Sequence, residues 1–186
     1  EIGSGLVGSE MCIRDRCYCD FLKQLYQSEL SADEIHSLRY EIARNYLENK
    51  IDYKPYAAEF LHFLKNKGYI LALATTTKRT NVDIYCTKNK NILGKANISE
   101  LFTLIYTRED AQEIKPNPEI YLRVMNELHV NADQCLIFED SLIGIEAAQR
   151  AGIDVVAVFD HYSSHEWNQI MTLAQYSIHS YKELLC

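Results

Sequence analysis

The stretch CLIFEDSLIGIEAA, residues 135–148, joins a short apolar run to two adjacent carboxylates and then to a segment with helical patterning. Apolar runs of this kind are typical of strands that are buried on both faces of a parallel sheet. We therefore predict a strand at 135–138 and a helix at 142–151. Glu139 and Asp140 then stand at the carboxyl end of the strand.

The same alternation of strand and helix patterns extends along most of the chain. The run YILALA at 69–74 follows a helical segment that starts near Pro55 and ends at Gly68. The other predicted strands are 103–106 and 154–159, and the other predicted helices are 118–129 and one near 165–174. Alternating strands and helices form a parallel sheet covered on both faces. Residues 53–186 are therefore predicted to be a Rossmann-like α/β core.

Residues 17–52 are predicted to form a helical hairpin in front of the core. The second helix starts at SADE, residues 31–34, where Ser31 and Glu34 can form a capping box. Apolar residues then recur at helical spacing, namely Ile35, Leu38, Ile42 and Tyr46. A small helical attachment suits a chain of 186 residues, which is long enough for one sizeable core but hardly for two.

Residues 1–16, EIGSGLVGSEMCIRDR, show no clear period. They contain a GxGxxG pattern at Gly3, Gly5 and Gly8, but a dinucleotide-binding motif needs a strand in front of it, and only two residues precede this one. The stretch resembles translated adapter sequence of the kind found at the start of reading frames from shotgun assemblies. We predict that it is a non-native leader.

Charge and composition argue against several classes of protein. The net charge is −7 and the isoelectric point is near 5.4, whereas nucleic-acid binders carry clustered lysine and arginine. No apolar run approaches the roughly 20 residues that span a bilayer. The six cysteines form no CxxC pair, which is typical of reduced thiols rather than of disulfides or zinc ligands. The sequence predicts a cytoplasmic protein without nucleic-acid or membrane partners.

Polar and charged side chains follow three of the predicted strands. They are Thr75, Thr76 and Thr77 after the strand at 69–74, Lys115 after 103–106, and Glu139 and Asp140 after 135–138. Ligands of parallel sheets bind beyond the carboxyl ends of the strands. A phosphoryl group in transfer spreads negative charge over its oxygens, to which Thr75 and the amide after it can donate and which Lys115 can neutralise. Because Asp140 is a hard oxygen ligand for Mg²⁺, this set predicts a magnesium-dependent phosphoryl-transfer site.

Each of these residues also has a purely structural interpretation. Threonines after a strand commonly cap helices, a loop lysine such as Lys115 is usually solvated, and adjacent carboxylates favour helix N-termini. Their placement at three strand ends of one sheet favours the functional interpretation. A receiver-type regulatory module combines the same residue types around Mg²⁺ but has its acidic pair first in the chain, whereas here the hydroxyls come first.

Three stretches together closely resemble the haloacid dehalogenase superfamily: LALAT at 71–75, KPNPEIY at 115–121 and FEDSLIGIEAA at 138–148. The resemblance runs from about residue 17 to the end of the chain. It is to the branch with a helical cap, which includes β-phosphoglucomutases and small sugar-phosphate phosphatases. It implies that residues 17–52 are the remnant of that cap.

The resemblance implies roles for individual residues. Thr75 looks like the hydroxyl that binds the phosphate, and Lys115 looks like the lysine that steadies nucleophile and phosphate. Glu139 and Asp140 look like the metal-binding acids, with Asp140 the surer ligand of Mg²⁺.

Further positions carry weaker implications. Thr77 and Lys78 fall where mutase relatives contact a second substrate phosphate, and Thr76 lies between them and Thr75 as a candidate substrate-binding residue. Ile114 departs from the pattern, because the family usually has glycine before its lysine.

The resemblance also implies a first strand that ends in an Asp-x-Asp pair, the first aspartate acting as nucleophile and the second as general acid/base. No aspartate of this sequence has a second aspartate two positions on. In the family that strand is central and lies between those predicted here at 69–74 and 135–138. We predict that the core lacks this strand and that the chain as written does not hydrolyse p-nitrophenyl phosphate.

The predicted function is that of the parent protein. It is a Mg²⁺-dependent phosphatase that acts on small phosphate monoesters, sugar phosphates in particular, through an aspartyl-phosphate intermediate. One alternative, a β-phosphoglucomutase-like sugar phosphomutase, shares every residue visible here with the phosphatase. The other alternative is a catalytically dead interaction module.

Overall fold

The computed structural model of the protein describes residues 9–185, with side chains described from Cys17 onward. The predicted leader at 1–16 lies outside the described residues apart from the backbone of 9–16, which is helical. The chain divides between Ile51 and Asp52 into two compact units. In the described part of the chain no helix is long and apolar enough to cross a membrane.

The first unit contains two helices, α1 (Ser9–Leu25) and α2 (Ala32–Asn49). Helix α1 therefore begins eight residues before the predicted hairpin. The predicted capping box of α2 is confirmed: the Glu34 amide donates to Ser31 Oγ at 3.2 Å, and the Ser31 amide donates to the Glu34 carboxylate at 2.7 Å. These bonds satisfy backbone donors that the first turn of a helix leaves without a partner.

The second unit alternates helices and strands. Its helices are α3 (Ala57–Asn66), α4 (Arg79–Thr87), α5 (Lys90–Lys95), α6 (Ile98–Leu101), α7 (Glu119–Leu128), α8 (Leu142–Arg150) and α9 (Trp167–Leu173). Its strands are β1 (Ala72–Ala74), β2 (Leu104–Tyr106), β3 (Leu136–Glu139), β4 (Asp154–Val158) and β5 (Tyr176–Ile178). Short 3₁₀ turns lie at Arg108–Asp110, Ala132–Gln134, Ser164–Glu166 and Tyr181–Leu184. The predicted α/β architecture is confirmed.

The strands form two parallel sheets, β1-β2 and β3-β4-β5. In the first, Ala74 is paired with Tyr106, and in the second, Glu139 is paired with Ala157. Within residues 9–185, β1 and β3 do not pair with each other. These are the two strands between which the family resemblance places a central strand.

One apolar cluster joins the two sheets. It is built on α8 and β4, where Ile145 and Val155 are fully buried. Ala74 of β1 and Tyr106 of β2 pack against the same cluster. Burying a side chain such as Ile145 contributes roughly 2 kcal/mol, so this cluster fixes the carboxyl ends of both sheets relative to one another.

Several predicted boundaries differ from the structure. The predicted strand at 69–74 shortens to β1, because the amide of Tyr69 still bonds to Leu64 O at the end of α3 and the side chains of Tyr69 and Ile70 are exposed. The predicted helix near 165–174 begins as a 3₁₀ turn before α9.

Some elements were not predicted at all. Helices α4, α5 and α6 bury few residues each, α4 only Val82, so they leave little apolar periodicity. Strand β5 buries only Ile178. Periodicity reveals an element only where the element buries a face.

Candidate functional site

A cavity of about 270 Å³ opens at the carboxyl ends of β1 and β3. Five of the predicted site residues line it: Thr75, Thr76, Lys115, Glu139 and Asp140. The other lining residues are Lys54, Phe138, Ser141, Ile143, Val158 and Tyr181. A larger open groove of about 500 Å³ lies beside α7 and includes none of the predicted residues. The smaller cavity is therefore the candidate site.

Lys115 connects the ends of the two sheets. Its Nζ donates to the carbonyl oxygen of Ala74 at 3.1 Å and to the carboxylate of Glu139. It also lies 4.7 Å from the centre of the Tyr121 ring, within the range of a cation–π contact. The lysine is 7% exposed, so the solvated-lysine interpretation is wrong. Because a buried charge needs a partner, this arrangement holds Lys115 at the cavity wall.

The loop that carries Lys115 is held by its own polar groups. The carboxylate of Glu119 accepts bonds from the amides of Gln112 at 3.0 Å and Glu113 at 2.8 Å. These two backbone bonds lower the pKa of Glu119, and the bond from Glu113 has the larger effect. Asn117 Oδ1 accepts the amide of Glu119 at 2.9 Å. The loop therefore closes on the start of α7.

Two further contacts fix the loop around the lysine. Arg150 of α8 donates to the carbonyl oxygen of Pro116 at 3.0 Å. The amide of Asn117 donates to the carbonyl oxygen of Ile114 at 2.9 Å, which makes a tight turn with isoleucine at its first position. Ile114, where the family usually has glycine, is thus the first residue of a tight turn that contains Lys115.

Glu139 points inward and is occupied by protein donors. Its carboxylate accepts bonds from Lys115, from Tyr121 Oη at 2.7 Å and from Ser141 Oγ at 3.2 Å. Burial raises the pKa of Tyr121 above its ordinary value, and the negative charge of Glu139 raises it further. A Cβ built at Gly144 would lie 2.2 Å from Glu139 Cδ, so the carboxylate rests against the first turn of α8. Its role as a metal ligand stays a prediction.

Asp140 points the other way, as successive side chains of a strand do. Its side chain is 44% exposed, and its Oδ2 lies 3.2 Å from Lys54 Nζ. Lys54 also donates to the carboxylate of Asp160, just beyond the end of β4. Among the described residues no group of three or more His, Cys, Asp or Glu side chains is arranged around a common point. Mg²⁺ needs only one or two carboxylates when water and phosphate supply its other ligands, and an exposed Asp140 fits that requirement.

Of the three threonines after β1, Thr75 and Thr76 line the cavity and Thr77 does not. The Thr75 amide donates to Tyr106 O at 2.9 Å, and its hydroxyl bonds to the hydroxyl of Thr77 at 3.0 Å and accepts the Thr77 amide at 3.1 Å. Lys78, not Thr75, is the N-cap of α4, so the helix-cap interpretation of Thr75 is wrong. Thr77 and Lys78 do not line the cavity.

Lys54 and Tyr181, which line the cavity, and Asp160, which accepts a bond from Lys54, were not predicted as site residues. Asp160 follows the strand predicted at 154–159, and the rule that located the other acids applies to it as well. The pKa of Tyr181 is raised to about 12, mainly by burial and further by the negative charges of Asp140 and Glu139. Its ring packs 5.5 Å from that of Phe60. No short-range sequence pattern marks Lys54 or Tyr181.

Comparisons with known proteins agree with the fold and the motifs. Residues 17–158 match the family described as "Haloacid dehalogenase-like hydrolase". The protein CbbY of Rhodobacter capsulatus is 36% identical over 111 residues, which cover 59% of this chain and 46% of that protein. The phosphorylated carbohydrates phosphatase of Thermotoga maritima is 35% identical over 100 residues, which cover 54% of this chain and 43% of that protein.

Solved structures show the same likeness. The crystal structure of CbbY from Rhodobacter sphaeroides in complex with xylulose-1,5-bisphosphate has a TM-score of 0.69 and 30% identity. The match covers 84% of this chain and 67% of that one. The chain spans about half the length of the curated relatives that it matches.

Proposed function

Because the chain belongs to the haloacid dehalogenase-like hydrolase family, we propose that its protein is a phosphatase of small phosphate monoesters, sugar phosphates in particular. The observation that carries the proposal is the convergence of Thr75, Lys115 and Asp140 on one cavity at the carboxyl ends of two parallel sheets. These residues are far apart in sequence and have hydroxyl, ammonium and carboxylate groups. Phosphoryl transfer needs this combination.

Each of this chain's groups has a distinct task in the proposed reaction. The Thr75 hydroxyl donates to an oxygen of the bound phosphoryl group. Lys115, held by Ala74 O and Glu139, places a positive charge beside the oxygens that become more negative in the transition state. Since Glu139 fixes the ammonium in advance, little reorganisation is needed when the phosphate arrives.

We propose that Asp140 holds a Mg²⁺ ion and that Glu139 acts behind it by positioning Lys115. When bound, the ion would supply additional positive charge to the phosphoryl oxygens. Asp140 suits this task because its carboxylate is exposed, whereas that of Glu139 is 11% exposed and accepts bonds from three protein donors.

A covalent route through an aspartyl phosphate needs a nucleophilic aspartate at the site. The 186 residues contain no Asp-x-Asp pair, so we propose that this pair comes from a segment outside them. A strand placed between β1 and β3 would deliver its end to the cavity that Thr75 and Lys115 line. We further propose that residues 17–52 are the remainder of a helical cap and 53–186 the core.

The proposed substrate class rests on the relatives. The Thermotoga maritima relative is a phosphatase of phosphorylated carbohydrates, and the Rhodobacter sphaeroides CbbY structure contains a sugar bisphosphate. A phosphomutase is not favoured, since the relative at 35% identity whose name states an activity is a phosphatase.

The test uses protein expressed from the complete natural reading frame. Phosphate release from a panel of sugar phosphates is measured with and without Mg²⁺, for the wild type and for Asp140→Asn, Thr75→Val and Lys115→Met. Each substitution should lower kcat/KM by 100-fold or more, as loss of one electrostatic group does. Lys95→Met is the control, because Lys95 pairs with Asp52 at the surface. Undiminished activity of Asp140→Asn or Lys115→Met would contradict the proposal.

A further inference from the structure

We propose that Lys54 is a built-in cation that competes with the divalent metal for Asp140, and that Asp160 is the position to which Lys54 retreats when the metal binds. The inference rests on the proposed function in one respect, that Asp140 is the metal-binding carboxylate. The inference goes beyond the proposed function by assigning roles to Lys54 and Asp160 in setting the affinity for the metal.

The geometry places one ammonium between two carboxylates. Lys54 Nζ lies 3.2 Å from Asp140 Oδ2 and donates a hydrogen bond to Asp160 Oδ2. The side chains of Lys54, Asp140 and Asp160 are 34%, 44% and 20% exposed. Asp160 is thus the better shielded partner and Asp140 the more open one. A metal ion that approaches from solvent therefore meets Asp140, the carboxylate that is held less firmly.

Asp160 is oriented to receive the lysine on its own. Its Oδ1 accepts the amide of Tyr162 at 2.7 Å, which leaves Oδ2 for Lys54. Burial opposes the charge of Asp160, but the bonds from Lys54 and Tyr162 outweigh it and lower the pKa of the carboxyl below its ordinary value. The Lys54–Asp160 pair can therefore persist after Asp140 has exchanged its partner.

The backbone holds Lys54 at this position. Pro55 restricts the conformation of the residue before it, and the carbonyl oxygen of Lys54 accepts the amide of Ala57 at 3.0 Å, at the start of α3. Ala57 and Phe60 are buried, so this end of α3 is anchored in the core. The ammonium moves only by rotation of its own side chain, over the short distance between the two carboxylates.

Competition follows from the charges. The oxygen of Asp140 nearest to Lys54 cannot coordinate a divalent ion while an ammonium lies against it, and the two cations repel one another. If Lys54 lies against Asp140 in about nine-tenths of the molecules, the apparent affinity for the metal is about tenfold lower than that of the open site. Removing Lys54 would also leave two negative carboxylates facing one another, which itself favours a bound cation.

The test measures Mn²⁺ binding directly, from the electron paramagnetic resonance signal of the free ion, with protein expressed from the complete natural reading frame. Lys54→Met should lower the dissociation constant about tenfold, whereas Lys54→Arg should leave it close to the wild-type value. Asp160→Asn should raise it severalfold, because Lys54 then has only Asp140 as a partner. Lys95→Met, which removes a lysine from a surface pair with Asp52, should have no effect. Far-UV circular dichroism checks that each variant is folded.

The outcomes separate this inference from the proposed function. If Asp140→Asn abolishes binding and Lys54→Met leaves the dissociation constant unchanged or higher, the competition is wrong and the metal site stands. If Asp140→Asn leaves binding unchanged, the metal site itself is wrong and the inference goes with it. Failure of both the wild type and Lys54→Met to bind Mn²⁺ also overturns the inference, because an open two-carboxylate site should then have appeared.

Discussion

The substitution Gly144→Ala tests whether the Glu139 carboxylate is held against α8 as the structure shows. A Cβ at Gly144 would lie 2.2, 2.3 and 2.4 Å from the three carboxylate atoms, whereas ordinary contacts begin at 3.4 Å. The nearest carboxylate atom would have to retreat by at least the difference of 1.2 Å between 3.4 and 2.2 Å. A free glutamate end could do this easily. This one is bonded to Lys115, Tyr121 and Ser141, so the retreat breaks or weakens those bonds.

The expected magnitude combines two opposing effects. Insertion of a methyl group into a packed site costs about 1–3 kcal/mol, and alanine in place of glycine within a helix returns up to ~1 kcal/mol. We expect Gly144→Ala to lower the free energy of unfolding by about 1–2 kcal/mol. Gly94→Ala is the matched control, because a Cβ at Gly94 of α5 meets nothing within 4 Å. It should be neutral or stabilising, by up to ~1 kcal/mol.

Urea unfolding followed by tryptophan fluorescence is the suitable assay. Trp167 is the only tryptophan of the chain and belongs to the cluster that joins the two sheets, so its emission reports on the second unit. The decisive comparison repeats Gly144→Ala in a Glu139→Ala background, where the clash is absent and the destabilisation should vanish. An equal loss of stability in both backgrounds would refute the reasoning, as would a Gly144→Ala protein as stable as Gly94→Ala.

Three further predictions concern stability and use the same unfolding assay. Lys115→Met leaves the carboxylate of Glu139 buried without its charged partner and should lower the free energy of unfolding by about 3–5 kcal/mol; a loss below ~1 kcal/mol, typical of surface pairs, would contradict this. Tyr121→Phe removes one donor to that carboxylate and should lower it by about 1.5–3 kcal/mol, with no change expected if the hydroxyl makes no bond. Burial opposes the charge of Asp110, but the amide and hydroxyl of Thr107 and a neighbouring arginine outweigh it and hold the pKa of the carboxyl below its ordinary value of 3.8. The contribution of Asp110 to the free energy of unfolding is therefore present above pH 3.8 and lost as the pH falls through the folded-state pKa. Asp110→Asn should flatten this dependence of stability on pH.

Strand ends were the most informative part of the sequence. The run at 135–138 differs from β3 by one residue at each end, although Leu136 at the start of β3 is exposed. Thr75, Lys115 and the acidic pair were placed together by the rule that the carboxyl ends of parallel strands share one edge. That rule needs only the strands, and these strands carry strong apolar patterns.

Other parts of the site depend on contacts that local patterns do not encode. Lys54 reaches Asp160 across 106 positions of sequence, and Tyr181 approaches the acidic pair from a 3₁₀ turn near the end of the chain. The engagement of Glu139 by Lys115 was not predicted either. The resemblance implied that both acids bind metal, and only the side-chain directions show that one of them faces a lysine.

Alternation along β3 explains why two adjacent carboxylates can have different partners. Ile137 and Glu139 face the cluster that includes Tyr121 and α8, whereas Phe138 faces the cluster that includes Tyr181. Asp140, next in the alternation, lies on the side of Phe138 and Tyr181 and reaches Lys54. Each carboxylate therefore meets its own cation, Glu139 the buried Lys115 and Asp140 the more exposed Lys54.

The difference in burial separates the two tasks. Separation of a buried pair such as Lys115–Glu139 is strongly unfavourable, because it would leave two buried charges without partners. An exposed pair such as Lys54–Asp140 separates at little cost. A single Glu-Asp dipeptide at a strand end thus provides one firm anchor for Lys115 and one carboxylate whose lysine partner can be exchanged.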